Sequence, residues 1–565
     1  MKLPKNPVNK LTRRGRRSLV LGFLSLMVAI APVTAANEIL FFLGPFGRSV
    51  KVSSLEVFAK NGTIDGNLRQ YLRNTTPAQQ AEFREALTKS APLSPVLLSR
   101  FFNTEMGESI LNRMGGLVTI QGGSNGKFAL RSALIKGALA PGGLTLLSFL
   151  QNLPTNMQVD VQQALLLARQ IELVLKATEY FTAEVAHLST IEAERAGAID
   201  FSPLPDLRQP GPYAVEEKRW ILTDKSRNRQ FYALIFQPKS FGAGKIPVIV
   251  FSHGLASRPE DFARQAEYWA SYGYVVVMPQ HPGSDTIQVQ NLLAGLSREV
   301  FDRSEFIDRP LDLRYTIDEL ERRNAAEYGG RLDLNNVGVG GHSFGGYAAL
   351  AVAGARIDFD YLQSECSREF GYVNISRLLQ CQALNLPRKD YDFRDPRVKA
   401  VFAANPVNSS IFGPKGLAEI KIPVILAAGT YDPATPAIFE QVRSFPWLSS
   451  EDKYLLMIEG QAHVDFSVLD AGLTQTIESA IDLTLPSPYL IDTYANALSL
   501  AFFQIHLRDD RQFRPLLQAA YTAYLSEGQQ FKCFLITRAS SAGLDRSIAE
   551  FIRRYVPNLD IPSSR

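Results

Sequence analysis

The segment 341–346 constrains the fold of this chain more than any other part of its sequence. It reads Gly-His-Ser-Phe-Gly-Gly, follows the apolar run 337–340 and precedes the helical pattern 347–353. This order predicts a strand, a sharp turn and a helix, with the Ser343 hydroxyl lifted clear of a sheet. The flanking glycines fit because a side chain would clash in so tight a turn. The first amides of the helix would then face negative charge that develops beside Ser343.

The same Gly-x-Ser-x-Gly pattern occurs a second time around Ser124. It reads Gly-Gly-Ser-Asn-Gly and also follows a short apolar run. About 0.2 such matches are expected by chance in a chain of this length, so the pattern alone does not identify a nucleophile. The glycine-rich surroundings of Ser124 favour a flexible turn. Ser343 is the candidate nucleophile because further candidate residues follow it at the ends of strand-like runs.

Two of those residues lie downstream of Ser343. Asp432 follows the apolar run 422–428, and His463, one of six histidines, follows the run 454–459. The carboxyl ends of parallel strands collect ligand-facing groups at one edge of a sheet. A histidine there can accept a proton from a serine, and an aspartate can orient the imidazole. We predict a catalytic triad of these three residues, with Asp465 as the nearest rival carboxylate.

A loop upstream of Ser343 supplies candidate oxyanion donors. The apolar run 246–251 precedes Ser-His-Gly-Leu, and we predict that the N–H groups of Leu255 and Phe344 hold an oxyanion. The alternative is an ordinary loop at a strand end. His281 and Asp285 follow a later strand-like run, and we interpret both as residues that order their own loop.

Residues 215–465 resemble the α/β-hydrolase superfamily, and within it the dienelactone-hydrolase-like and platelet-activating-factor-acetylhydrolase-like branch. Three features carry this resemblance: the turn at 341–346, which we call the elbow, the His-Gly-Leu loop at 253–255, and the chain order Ser, Asp, His. In one respect the chain departs from the acetylhydrolases, which carry their acid one strand earlier. Here that strand ends in Ala-Asn-Pro at 404–406, and Asp432 stands where dienelactone hydrolases carry theirs.

The alternation of strand and helix patterns predicts an α/β fold with a mostly parallel eight-stranded sheet covered by helices on both faces. A smaller, mainly helical domain precedes it. Its segment 38–160 looks like the helical domain found ahead of such hydrolases in cyanobacterial proteins of unknown function. The predicted parts are a signal peptide (1–36), the helical domain (37–205), a linker (206–213), the hydrolase domain (214–483, with insertions 284–309 and 356–395) and a helical C-terminal extension (484–565). The two insertions form either a lid or acyl pocket, or a surface that packs on the N-terminal domain.

The N-terminus has the features of an export signal. Seven lysine and arginine residues precede the first acid, an apolar run spans 19–30, and small residues follow at 33–36. Removal of the seven positive charges changes the formal net charge from +4 to −3, which argues against nucleic-acid binding. We predict export to a periplasm, a thylakoid lumen or the exterior, the alternative being an N-terminal membrane anchor.

The chain has three cysteines. Cys366 and Cys381 are predicted to form a disulfide worth about 3 kcal/mol in the chain-entropy model, and the alternative is two unpaired thiols. Cys533 lies in an apolar run and is predicted to be a core thiol. The sequence contains no metal-binding motif, and we predict neither a metal nor a cofactor.

Together these features predict a serine hydrolase of carboxylic esters, acting on lipid-like or aromatic esters. The same triad would also serve an amidase or a peptidase. A third hypothesis is an envelope protein that binds a ligand without catalysis. The expected partner is a small ester, including lipid esters, with peripheral membrane contact. The sequence does not define an oligomeric state.

Overall fold

The computed structural model describes residues 35–91, 93–368, 373–463 and 485–556. They form two compact units, one built from the chain up to Ala91 and from Leu111–Gln162, the other from Pro92–Ile110 and the chain from Gln163 onward. All but the last two residues of the predicted signal peptide lie outside the described residues. No helix in the described ranges has the length and apolarity needed to cross a bilayer.

The first unit contains a four-stranded sheet in the order β2-β1-β4-β3. β1 and β2 form an antiparallel hairpin, and β4 runs parallel to β1. Its strands are β1 (Glu38–Leu43), β2 (Phe46–Lys51), β3 (Val118–Ile120) and β4 (Met157–Asp160). Apolar side chains of the hairpin and the neighbouring helices form its core, including Val50, Phe58, Leu68 and Leu87.

Helices account for most of the remaining structure. In the first part of the chain they are α1 (Val52–Asn61), α2 (Gly66–Leu72), α3 (Pro77–Thr88), α4 (Pro95–Phe101), α5 (Glu105–Leu117), α6 (Lys127–Ala138), α7 (Leu146–Gln151) and α8 (Val161–Ala196). The later ones are α9 (Ala263–Ser271), α10 (Thr286–Ala294), α11 (Glu305–Tyr328), α12 (Phe344–Val352), α13 (Phe359–Ser367), α14 (Ser376–Gln380), α15 (Ser409–Leu417), α16 (Pro488–Arg508), α17 (Ala519–Leu525) and α18 (Arg538–Tyr555). Several helices begin at a residue whose side chain accepts a hydrogen bond from a first-turn amide, such as Thr76 before α3 and Asp285 before α10.

The second unit contains a nine-stranded sheet in the order β13-β12-β11-β10-β9-β7-β8-β6-β5. β7 to β12 pair in parallel, whereas β5, β6 and β13 join antiparallel. The strands are β5 (Val215–Asp224), β6 (Arg229–Pro238), β7 (Ile246–Ser252), β8 (Val275–Pro279), β9 (Leu332–His342), β10 (Val398–Ala404), β11 (Val424–Gly429), β12 (Lys453–Ile458) and β13 (Cys533–Thr537).

This sheet confirms the predicted α/β fold and corrects one count. The prediction of eight strands omitted β13, which lies in the C-terminal extension that was predicted to be helical. β13 pairs with β12, but an apolar run of only five residues cannot be told from a buried helix segment by periodicity. Cys533 within β13 is buried, as predicted for a core thiol.

Both faces of the central sheet are buried. Val250 and Val339 point to one face, where α11, α12 and α18 pack, while Ile249 and Phe402 point to the other, covered by α9 and α16. Burial on both sides explains why these strands read as continuous apolar runs in the sequence.

The predicted disulfide between Cys366 and Cys381 is present, with the two Cα atoms 5.9 Å apart. It joins the end of α13 to the turn after α14, within the insertion 356–395. Arg443, in the segment after β11, also pairs with Glu365 of α13 at 2.9 Å. The disulfide thus closes the insertion on itself, and the ion pair joins it to the segment between β11 and β12.

Glu440 binds the same insertion through hydrogen bonds. This buried carboxylate lies in a π-helical turn, Ile438–Val442, and its two oxygens accept five hydrogen bonds. The donors are the side chains of Asn374, Ser376 and Gln380 and the backbone amides of Asn408 and Ser409. One side chain therefore connects the insertion to the loop after β10.

We expect Glu440→Gln to lower the free energy of unfolding by about 1–3 kcal/mol, because an amide would turn a donor toward groups that are themselves donors. Urea denaturation followed by circular dichroism measures this change. Glu419→Gln, at an exposed position, is the matched control, with an expected change within about 0.5 kcal/mol. Equal stability of the two variants would contradict this role for Glu440.

Candidate active site

The turn that holds Ser343 has the predicted strained shape. Ser343 lies between β9 and α12 with φ 57° and ψ −118°, a region that non-glycine residues rarely adopt. Its amide donates to the carbonyl of Ala404 at 2.9 Å. A Cβ on Gly341 would lie 2.2 Å from the Gly345 carbonyl oxygen, and one on Gly345 would lie 2.0 Å from the Ser252 carbonyl oxygen. Backbone packing therefore excludes any side chain at both flanking positions.

Ser124, the second match to the pattern, lies in an exposed turn between β3 and α6. Its carbonyl accepts the Ile120 amide at 2.9 Å, and the preceding Gly122 and Gly123 have positive φ values. These features fit the interpretation of a flexible glycine-rich turn.

Asp432 and His463 are in direct contact. Asp432 follows β11, His463 follows β12, and the carboxylate Oδ2 lies 2.7 Å from the imidazole Nδ1. Because an ionised carboxylate can only accept, the contact places a proton on Nδ1 and leaves Nε2 free to act as a base. The imidazole is partly exposed, whereas the carboxylate is fully buried.

Asp432 is held as an anion by a dense set of donors. Burial alone would raise its pKa, but the charge and hydrogen bond of His463, with further hydrogen bonds, outweigh it and hold the pKa well below the usual range. The other donors are the backbone amides of Ala434 and Thr435, the Thr435 hydroxyl and the Asn405 side-chain amide.

Asn405 is a site residue whose role sequence reasoning missed. It directly follows β10, at the strand end where acetylhydrolases carry their acid. The residue is fully buried and has a φ of 45°. Its Nδ2 donates to Oδ2 of Asp432. The position that lacks a carboxylate thus supplies a hydrogen-bond donor to the carboxylate of the next strand.

His463 lies against the elbow. Its ring centroid is 4.6 Å from that of His342, the residue that immediately precedes Ser343. His342 is buried, and burial together with the neighbouring charge of His463 holds its pKa well below the usual value. The structure thus brings the acid–histidine pair to the strand end that carries the serine.

The loop after β7 also lies beside the elbow. A Cβ built on Gly254 would stand 3.4 Å from Cβ of Ser343 and 3.2 Å from Nδ1 of His342. The Leu255 amide follows directly, and the next amide, that of Ala256, donates to the carbonyl of Ser284 at 2.8 Å. Phe344 is the first residue of α12, where amides have no acceptor within their own helix.

His281 and Asp285 make the contacts expected of residues that order their loop. His281 lies 2.8 Å from the Ser252 hydroxyl and 3.0 Å from Asp312, and it is fully buried. Asp285 accepts the Gln288 amide at the start of α10. Asp465, the rival carboxylate, lies outside the described residues. Within the ranges that the structure covers, no group of three His, Cys, Asp or Glu side chains is arranged to hold a metal ion.

Comparison with known families adds two matches. A family model described as chlorophyllase matches residues 206–364, which include the loop after β7 and the elbow. The fold is that of an α/β hydrolase. A second family model, described as alpha/beta hydrolase of unknown function (DUF1400), matches residues 35–160.

Both matches support membership of the α/β-hydrolase superfamily, and together they favour hydrolase activity. The chlorophyllase match ends before Asp432 and His463, so it bears on the elbow half of the hydrolase site alone. No curated protein matches the chain.

Proposed function

We propose that the protein is a serine hydrolase of carboxylic esters. The observation that carries this proposal is the 2.7 Å contact between Asp432 and His463 beside the strained turn of Ser343. A buried anion, an imidazole with one nitrogen free and a serine on a nucleophile elbow are the three groups that acyl transfer requires.

The proposed reaction has two halves. Nε2 of His463 accepts the Ser343 proton as Oγ attacks the ester carbonyl, and Asp432 stabilises the imidazolium that forms. The tetrahedral intermediate collapses, the C–O bond to the leaving group breaks, and the imidazolium returns its proton to the departing alcohol. Water then attacks the acyl-serine by the same route and releases the acid. The amides of Leu255 and Phe344 hold the oxyanion, each contributing about 3–4 kcal/mol.

Two observations support an apolar ester as the substrate class. Chlorophyllases, to which part of the chain is similar, are ester hydrolases. In addition, Tyr431 beside Asp432 is 46% exposed, and Ile375 and Leu296 in the two insertions are 50% and 81% exposed. Tyr431 and Leu296 lie on segments that follow the carboxyl ends of β11 and β8, and the stretch that holds Ile375 is joined to the loop after β10 through Glu440. Exposed apolar side chains on these segments suit lipid-like or aromatic esters. The position of Asp432 after β11 supports the dienelactone-hydrolase-like branch.

A substrate panel tests the proposal. We expect p-nitrophenyl esters and lipid esters to be cleaved, matching amides to be cleaved far more slowly, and a fluorophosphonate to label Ser343. Faster cleavage of the amides would replace the esterase by an amidase or peptidase. No labelling and no turnover would leave a binding protein that keeps the fold.

We further propose that the protein is exported, which the disulfide supports because such bonds persist in oxidising compartments. The mature chain is expected to begin at Ala36 or Asn37 and to contain one alkylatable thiol, Cys533, before reduction. Intact-mass analysis of protein from its native host, alkylated with and without reductant under denaturing conditions, measures both features. A chain that retains Met1 and has three alkylatable thiols would place the enzyme in a reducing compartment.

A further inference from the structure

Arg309 is a fully buried cation that is hydrogen-bonded to the loop containing Leu255. It lies in the first turns of α11, and its guanidinium donates to the carbonyls of His253 and Gly254, the latter at 3.0 Å. Its Nε donates to the Ser284 hydroxyl at 2.8 Å. A guanidinium is a planar fork, so these contacts fix the direction of two successive carbonyls.

The Gly254 carbonyl belongs to the same peptide group as the Leu255 N–H. In a trans peptide the carbonyl and the N–H point in opposite directions, and the described residues contain no cis peptide bond. A cation bound to the Gly254 oxygen therefore aims the Leu255 N–H to the other side of the peptide. It also polarises the amide, which makes the N–H a stronger donor.

His253 holds the same carbonyl from a second direction. Its Nε2 accepts the amide of His281 at 3.2 Å, so the ring proton is on Nδ1, which lies 2.8 Å from the Gly254 oxygen. Burial, together with the nearby Arg309, keeps its pKa well below the usual value, and the ring stays neutral. The Gly254 carbonyl thus accepts from two buried side chains at once.

Arg309 also contacts the residue that carries the second proposed donor. The guanidinium carbon lies 4.6 Å from the centroid of the Phe344 ring. One cation thus touches both Phe344 and the Gly254–Leu255 peptide, whose Gly254 lies beside Ser343.

Buried acids keep this cation in place. Glu305 lies 3.6 Å from Arg309 and also binds Arg229 at 2.8 Å. Burial lowers the pKa of Arg309 to about 10, a value at which the side chain is still charged at neutral pH. Arg229 shares this ion network through its hydrogen bonds to Glu305 and Asp312. Within the described residues, Arg229 makes no hydrogen bond or ion pair with the loop after β7.

We propose that Arg309 and His253 are positioning residues that fix and polarise the Gly254–Leu255 peptide as an oxyanion donor. They act through the peptide and do not touch the substrate. The inference rests on the proposed function, since an oxyanion donor has a role only in a hydrolase.

Arg309→Lys keeps the charge but removes the fork, and Arg229→Lys, in the same ion network, is its matched control. For Arg309→Lys we expect kcat for p-nitrophenyl butyrate to fall about 100-fold, with KM changed less than about threefold. The inhibition constant of a trifluoromethyl ketone, which forms a tetrahedral adduct, should rise by a similar factor. Arg229→Lys should change all three quantities by less than about threefold.

Thermal melting of both variants separates folding from function. Unchanged kcat in folded Arg309→Lys, or equal losses of kcat in the two variants, would overturn the inference. If Arg309→Lys does not fold, His253→Leu removes the other donor to the same carbonyl, and a loss of about tenfold in kcat at constant KM supports the proposal. Unchanged kcat in His253→Leu overturns it. A wild-type protein that neither hydrolyses the panel nor reacts with fluorophosphonate would instead overturn the proposed function itself.

Discussion

Ser343→Ala is expected to abolish hydrolysis of a short p-nitrophenyl ester, with a loss of about 10⁴-fold or more in kcat. The variant should still fold, because the elbow is held by backbone contacts such as the Ser343 amide with Ala404. Alanine is smaller than serine and adds no atom to a turn whose flanking glycine positions have no room for a Cβ. Initial rates and a melting curve of the purified variant check both expectations.

Ser124→Ala is the control, since it makes the same change in the second copy of the motif, at an exposed turn. We expect wild-type rates from it. Activity that survives in Ser343→Ala and is lost in Ser124→Ala would overturn the assignment of the nucleophile.

Asp432→Asn is expected to lower kcat by about 10⁴-fold while KM changes little. Both carboxylate oxygens accept hydrogen bonds, from backbone amides on one side and from side chains including His463 on the other. An asparagine must turn its NH₂ toward one of these sets of donors, which leaves a clash or flips the imidazole to the wrong tautomer. Steady-state kinetics with the ester separate the two parameters.

Asp465→Asn is the control for the acid, and a mild effect is expected because Asp432 already lies 2.7 Å from Nδ1 of His463, the nitrogen that an orienting carboxylate binds. If the two aspartate variants exchanged their effects, the strand-end argument would be wrong.

The stability of the protein in acid is a further readout of the role of Asp432. The pKa of Asp432 is lowered in the folded protein, so its stabilising contribution is present above about pH 4 and is lost as pH falls through the folded value. Asp432→Asn lacks that contribution.

The sequence was sufficient to predict the central sheet because its strands are buried on both faces. Such strands appear as short apolar runs, and each run that ends in a polar residue marks a possible site position. This is why Ser343, Asp432 and His463 could be proposed as site residues from the sequence alone. β13 escaped because a five-residue apolar run cannot be told from a buried helix segment by periodicity. In the first unit, β3 and β4 have only three and four residues, too few to show a strand pattern.

The residues that surround the proposed triad were harder to predict from the sequence. Arg309 is a charged residue on a helix, and only its spacing from Glu305 and Asp312 on a buried face hinted at an internal role. Its partners, the carbonyls of His253 and Gly254, lie far away in the chain and carry no side-chain signature. The contact of Asn405 with Asp432 likewise depends on how two neighbouring strands end, which only the three-dimensional structure reveals.

The position of β13 determines when the hydrolase sheet can be completed during synthesis. Ser343, Asp432 and His463 have all been translated while β12 still has one open edge, which β13 closes later in the chain. Exposed edge strands invite pairing between chains, so a product truncated before Cys533 would carry every proposed catalytic group and yet tend to aggregate. The sheet thus gains its last strand only about 70 residues after the last proposed catalytic group has been made.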